Sequence, residues 1–92
     1  GLQGEDNITR EQLVTMLFNY ANKAGLDTSA RADLASYPDA SGVSEWAADA
    51  VSWAVAEGIL KGVNNPDIDP QGWATRAQAA AFMQRYVHAA LL

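Results

Sequence analysis

The chain has 92 residues, a net charge of −5 and no cysteine. A single small domain of this length buries about 60–65% of its unfolded surface, so its stability is modest unless it associates. The acidic balance, without any basic stripe, argues against nucleic acid; lack of cysteine excludes a disulfide framework and thiolate chemistry; no apolar run reaches membrane-spanning length.

In chain order, the start in Gly-Leu-Gln-Gly reads as a piece of a larger protein, with no signal sequence. The first helix is expected from about Thr9 to Ala24. Leu13, Leu17, Tyr20 and Ala24 fall on one face, Val14, Phe18 and Ala21 widen it, and Gly25 is its stop. It opens with Thr9-Arg10-Glu11-Gln12, in which threonine and glutamine at this spacing form a capping box. Leu26 to Val43, which holds Asp, Ser, Pro and Gly, is a long connector with a turn of helix near Ser29–Leu34. A second helix is expected from Ser44, as its cap, to about Glu57, with Gly58 as a left-handed terminus. Trp46, Ala50, Trp53, Ala54 and Glu57 share one side of it. The turn-rich stretch from Lys61 to Trp73 follows, flanked in part by Ile59 and Ile68, which are placed to pair as a very short hairpin. The third helix, from Thr75 to about Ala90, turns Ala79, Phe82, Met83, Tyr86 and Val87 inward. The fold class is therefore all-α: three main helices, long irregular connectors and little or no strand.

The third helix opens with Thr75-Arg76-Ala77-Gln78, repeating the first tetrapeptide 66 residues later and aligning Met16 with Phe82, Leu17 with Met83 and Tyr20 with Tyr86. Thr9, Gln12, Thr75 and Gln78 are accounted for as helix caps. The arginines are not. A helix N-terminus carries about half a positive charge, so a cation there costs up to about 1 kcal/mol. A guanidinium fork beside unpaired helix N–H groups is, however, a natural seat for a carboxylate or phosphate.

Other candidates fall to structural explanations. Asn65, Asp67 and Asp69 alternate as in a calcium loop, but Pro70 stands where glycine is required and Arg76 where the bidentate acid belongs. His88 has no histidine or cysteine partner, so no metal site is expected. Asn7-Ile8-Thr9 is a glycosylation sequon by pattern, yet Thr9 is better explained as a cap. Trp53 reads as core, Trp46 equally as core or as a sugar platform, and Trp73 as a lid or contact residue in a loop. No nucleophile–base pair or carboxylate dyad points to an enzyme.

Tyr37-Pro38-Asp39, Trp46-Ala47, Ala50-Val51, Trp53-Ala54, Glu57-Gly58-Ile59-Leu60-Lys61-Gly62, Ile68-Asp69-Pro70 and Thr75-Arg76-Ala77-Gln78 occur in an order that resembles an S-layer homology repeat. Residues 37–92 correspond to one complete repeat, and residues 1–36 to the closing helix of a preceding repeat plus connector. The resemblance implies an extracellular, non-covalent anchor at the bacterial cell wall, mainly in Gram-positive organisms. It would bind a secondary polysaccharide attached to peptidoglycan. By position, Arg10 and Arg76 would face the carboxylate of a pyruvylated sugar, with Asp39 and Trp46 in support and no cofactor. The family's usual acid is replaced by Gln12 and Gln78, which leaves the arginines one less negative neighbour each. Because the repeat set is incomplete, exposed helix faces point to pairing with another copy, as a homodimer or domain-swapped oligomer. The alternative function is a protein–protein self-assembly module of a surface layer without direct glycan binding.

Overall fold

The computed structural model describes residues 8–60 and 68–91. Asn7 of the sequon and Asn65 and Asp67 of the acidic alternation lie outside the described residues. The elements run β1 (Ile8–Thr9), α1 (Arg10–Lys23), three single 3-10 turns (Leu34–Ser36, Ala40–Gly42, Glu45–Ala47), α2 (Ala48–Ala56), β2 (Trp73–Ala74) and α3 (Arg76–Leu91). The fold is mostly helical, as expected.

Local chemistry sets the helix ends. At α1, Thr9 N–H donates to Gln12 Oε1 (2.7 Å) and Gln12 N–H to Thr9 Oγ1 (3.2 Å); at α3, Thr75 N–H donates to Gln78 Oε1 and Gln78 N–H to Thr75 Oγ1, both at 3.0 Å. Both tetrapeptides are thus reciprocal capping boxes. Gly25 (φ +80°) and Gly58 (φ +76°) end α1 and α2 in the left-handed region. At both stops the chain turns back on the last helical turn: Leu26 N–H reaches Ala21 O (3.0 Å) and Ile59 N–H reaches Ala54 O (2.9 Å).

Three sequence expectations are corrected. The only strand pairing among the described residues joins β1 to β2 antiparallel, with Ile8 opposite Ala74 and Thr9 opposite Trp73, in place of an Ile59–Ile68 hairpin. Ile59 (0% exposed) and Ile68 (2%) enter the core instead. Ser44 does not cap with its side chain; a 3-10 turn separates it from α2, and its hydroxyl is used elsewhere. The connector forms its helical turns at Leu34–Ser36 and Ala40–Gly42 rather than over Ser29–Leu34. It is pinned to α2 by buried Ser52, whose hydroxyl donates to Ala32 O (2.8 Å) and accepts from Ala32 N–H (2.9 Å).

The core gathers Leu13, Val14, Leu17 and Ala21 of α1, Ala50, Val51, Trp53 and Ala54 of α2, then Ile59, Leu60, Ile68 and Ala74, closed by Phe82 and Tyr86 of α3. α1 packs mainly against α2. Trp53 sits at the centre, 5.4 Å from the Phe18 ring and 6.0 Å from the Tyr86 ring. Several expected core residues are outside it: Tyr20 of α1, Ala24 at its C-terminal cap, and Met83 and Val87 of α3 are exposed; Trp46, read evenly as core or platform, is exposed as well. The pattern is systematic. At the 66-residue offset, the buried face of α1 (Leu13, Val14, Leu17, Ala21) corresponds to Ala79, Ala80, Met83 and Val87 of α3, which are half-buried or exposed. The buried Phe82 and Tyr86 correspond to exposed Met16 and Tyr20. The two helices share a sequence pattern but bury opposite faces of it.

Candidate functional site

The site is built where α1 begins. Its first three amides need partners from outside the helix, and the turn after Ile68 supplies two of them. Arg10 N–H donates to Gly72 O (2.9 Å) and Glu11 N–H to Pro70 O (3.0 Å), while Gln12 N–H is taken by the capping box. The expected anion seat on this helix N-terminus is therefore filled by protein carbonyls.

Arg10 is 1% exposed. Its Nε–H donates to Ile68 O at 3.1 Å and its guanidinium carbon lies 5.3 Å from the Phe82 ring centroid. Arg85 lies over the same ring at 5.9 Å and donates to Ile59 O at 3.1 Å. Burial pulls the Arg10 guanidinium below the usual arginine range, opposed by the charges of Asp69 and Asp39 and reinforced by Arg85. Asp39 accepts from two consecutive amides, Ile68 N–H (3.0 Å) and Asp69 N–H (2.7 Å). Asp39 thus fixes the backbone whose carbonyl Arg10 uses. Sequence-predicted Arg10 and Asp39 are brought together around Ile68.

Arg76 and Trp46 occupy the surface; Trp46 is 60% exposed. The Arg76 helix start is exposed, where that of Arg10 is buried. The Ala77 amide, counterpart of the Glu11 amide held by Pro70, has no protein partner among the described residues.

Sequence reasoning missed a second buried charge. Glu11 is 2% exposed, and its carboxylate accepts from Ser44 N–H (2.9 Å), Ser44 Oγ–H (2.6 Å) and Gln71 Nε2–H (2.9 Å). The local signal was the one position at which the tetrapeptides differ, glutamate against alanine; its partners, 33 and 60 residues away, left none. Elsewhere, a hollow of about 240 Å³ is lined by Ala21, Leu26, Asp27, Trp53, Glu57, Ile59 and Tyr86. Trp53 Nε1 and the Tyr86 hydroxyl are buried without a hydrogen-bond partner. Among the described residues, no cluster of His, Cys, Asp or Glu could hold a metal ion, and no helix is long and apolar enough to cross a membrane.

Comparison with curated proteins and with solved structures gave no match. Comparison with protein families gave one, over residues 36–80, which contain Asp39, Ser44, Trp46, Gln71 and Arg76. This part of the chain is an S-layer homology domain, a binding module of the cell surface and cell wall.

Proposed function

We propose that the chain anchors an exported protein non-covalently to the bacterial cell wall by binding an acidic, pyruvyl-bearing secondary polysaccharide, as in Gram-positive organisms. The observation that carries this is the family match, within which Arg76 and Trp46 are both exposed. Arg76 offers a planar fork to a sugar carboxylate beside the Ala77 amide, and the Trp46 face covers sugar C–H groups. Arg10 and Asp39 contribute structurally, by holding the Ile68–Asp69 backbone. One such contact set is weak, and several acting together supply retention.

Co-sedimentation tests the proposal. The chain is expected to pellet with peptidoglycan carrying its secondary polysaccharide and to stay in solution with peptidoglycan stripped of it. Arg76→Ala should weaken retention by roughly tenfold, as expected for a charged hydrogen bond worth about 1.5 kcal/mol, and Trp46→Ala should weaken it through the loss of apolar contact with the sugar face. Equal retention of folded variants overturns the assignment.

A second function, self-assembly in a surface layer without glycan contact, is supported by exposed Met83 (47%) and Val87 (44%), counterparts of residues that α1 buries. It predicts a mass that rises with concentration in light scattering and is indifferent to Arg76→Ala.

A further inference from the structure

The Glu11 carboxylate is held as a bound ligand would be. Three donors converge on it, and none belongs to α1: the Ser44 amide, the Ser44 hydroxyl and the Gln71 side-chain amide all lie in the family-matched segment. Gln71 is oriented independently of the acid, because the same Nε2 also donates to Gly42 O at 3.1 Å. The Ser44 amide direction is set by backbone. The domain therefore supplies a fixed fork of donors, and the first helix supplies only the acid. Ser44 is half-buried and Gln71 exposed, which puts the pocket one side-chain layer below the surface.

From this arrangement we infer that Ser44 and Gln71 form a carboxylate-binding site of the domain, and that Glu11 is its built-in occupant. The chain's other tetrapeptide has Ala77 in the equivalent place. With Glu11 present, an incoming carboxylate competes with a tethered one, whose effective concentration is millimolar or higher. Recognition of a carboxylate follows from the donors alone. Its identity as the carboxylate of an acidic sugar, uronate or pyruvyl ketal, rests on the wall-polysaccharide reading above.

Chemical rescue tests this in the full chain. Glu11→Ala leaves three donors unpaired and a space the size of acetate. The variant should melt below wild type. Acetate, but not chloride at equal ionic strength, should raise its midpoint saturably, with the Ser44 amide and Gln71 side-chain amide signals shifting together in nitrogen–proton spectra. Affinity for acetate should exceed that of wild type by about tenfold or more. Glu11→Ala/Ser44→Ala should lose the effect. Absence of a carboxylate-specific rise, or an equal rise in the double variant, overturns the site. Should Glu11→Ala not fold, Glu11→Ser vacates the same space with a residue suited to the first turn of a helix; unchanged Ser44 and Gln71 signals on acetate titration then overturn the site equally. Wall co-sedimentation of Arg76→Ala and Trp46→Ala is read separately, so failure of either idea leaves the other standing.

Discussion

The Arg10 side chain closes on the backbone carbonyl of Ile68, 58 residues along the chain, at 3.1 Å. This contact explains why an arginine is kept at the first position of a helix, where the macrodipole disfavours it. The guanidinium satisfies a buried carbonyl and covers the Phe82 ring. The same tetrapeptide residue in α3 lies on the surface.

The two arginines should therefore separate in a stability measurement. Arg10→Ala strands the Ile68 carbonyl and removes packing from Phe82, for a cost of about 2–4 kcal/mol in urea unfolding. Arg76→Ala should stay within about 0.5 kcal/mol, as for an exposed position. Equal losses would mean that the tetrapeptide arginines do the same job.

A parallel contrast applies to the apolar faces. Leu17 (5% exposed) and Met83 (47%) are equivalent in the repeat, yet Leu17→Ala should cost about 2–4 kcal/mol and Met83→Ala less than about 0.5 kcal/mol. A large loss at Met83 would show that another molecule covers α3 in solution, a result that light scattering would corroborate.

Tyr86 gives a prediction with a pH dependence. Burial first, and the neighbouring Tyr20 second, hold its hydroxyl above the ordinary tyrosine pKa. The folded state thus keeps the proton more tightly than the unfolded one. Its contribution is intact below about pH 10 and declines as pH rises past that value, where the unfolded tyrosine ionises. Tyr86→Phe should flatten this alkaline decline. Because the hydroxyl has no partner, the substitution should leave neutral-pH stability unchanged or raise it by up to about 1 kcal/mol. A loss above about 2 kcal/mol would show that the hydroxyl is paired.

Ser52→Ala removes the hydroxyl that ties Ala32 to α2 and should cost about 1–2 kcal/mol. Hydrogen exchange should localise the effect to the connector, with faster exchange at Ala32. Uniform loss of protection would mean instead that the connector and α2 open as one unit.

Much of this fold was legible in the chain because its punctuation is local. The Thr-x-x-Gln boxes satisfy helix amides from within four residues, and Gly25 and Gly58 reach the left-handed region without a side-chain penalty. What stayed hidden depends on partners far away in sequence. Ser44 has every property of a cap, but a carboxylate 33 residues earlier takes its hydroxyl. Ile59 and Ile68 have strand-like side chains, but Asp39 and Arg10 use the backbone of Ile68 and leave none for a ladder. Met83 and Phe82 are equally apolar neighbours, and only the presence of α1 and α2 on one side decides which is covered. At the site, the motif carried Arg10 and Asp39 into one place but said nothing of burial, and Glu11 announced itself only by differing from Ala77.

The two-residue pairing of β1 with β2 also bears on when the chain folds. Ile8 meets Ala74 and Thr9 meets Trp73, and the opening amides of α1 receive their outside partners from Pro70 and Gly72, about 60 residues later. Closing so long a loop costs entropy before any contact rewards it. During synthesis, α1 cannot be seated until the ribosome has delivered the turn through Gly72 that holds Arg10 and Glu11. α1 is thus secured only after α2 has been made, and until then its Leu13, Val14 and Leu17 face is open to whatever accompanies the nascent chain.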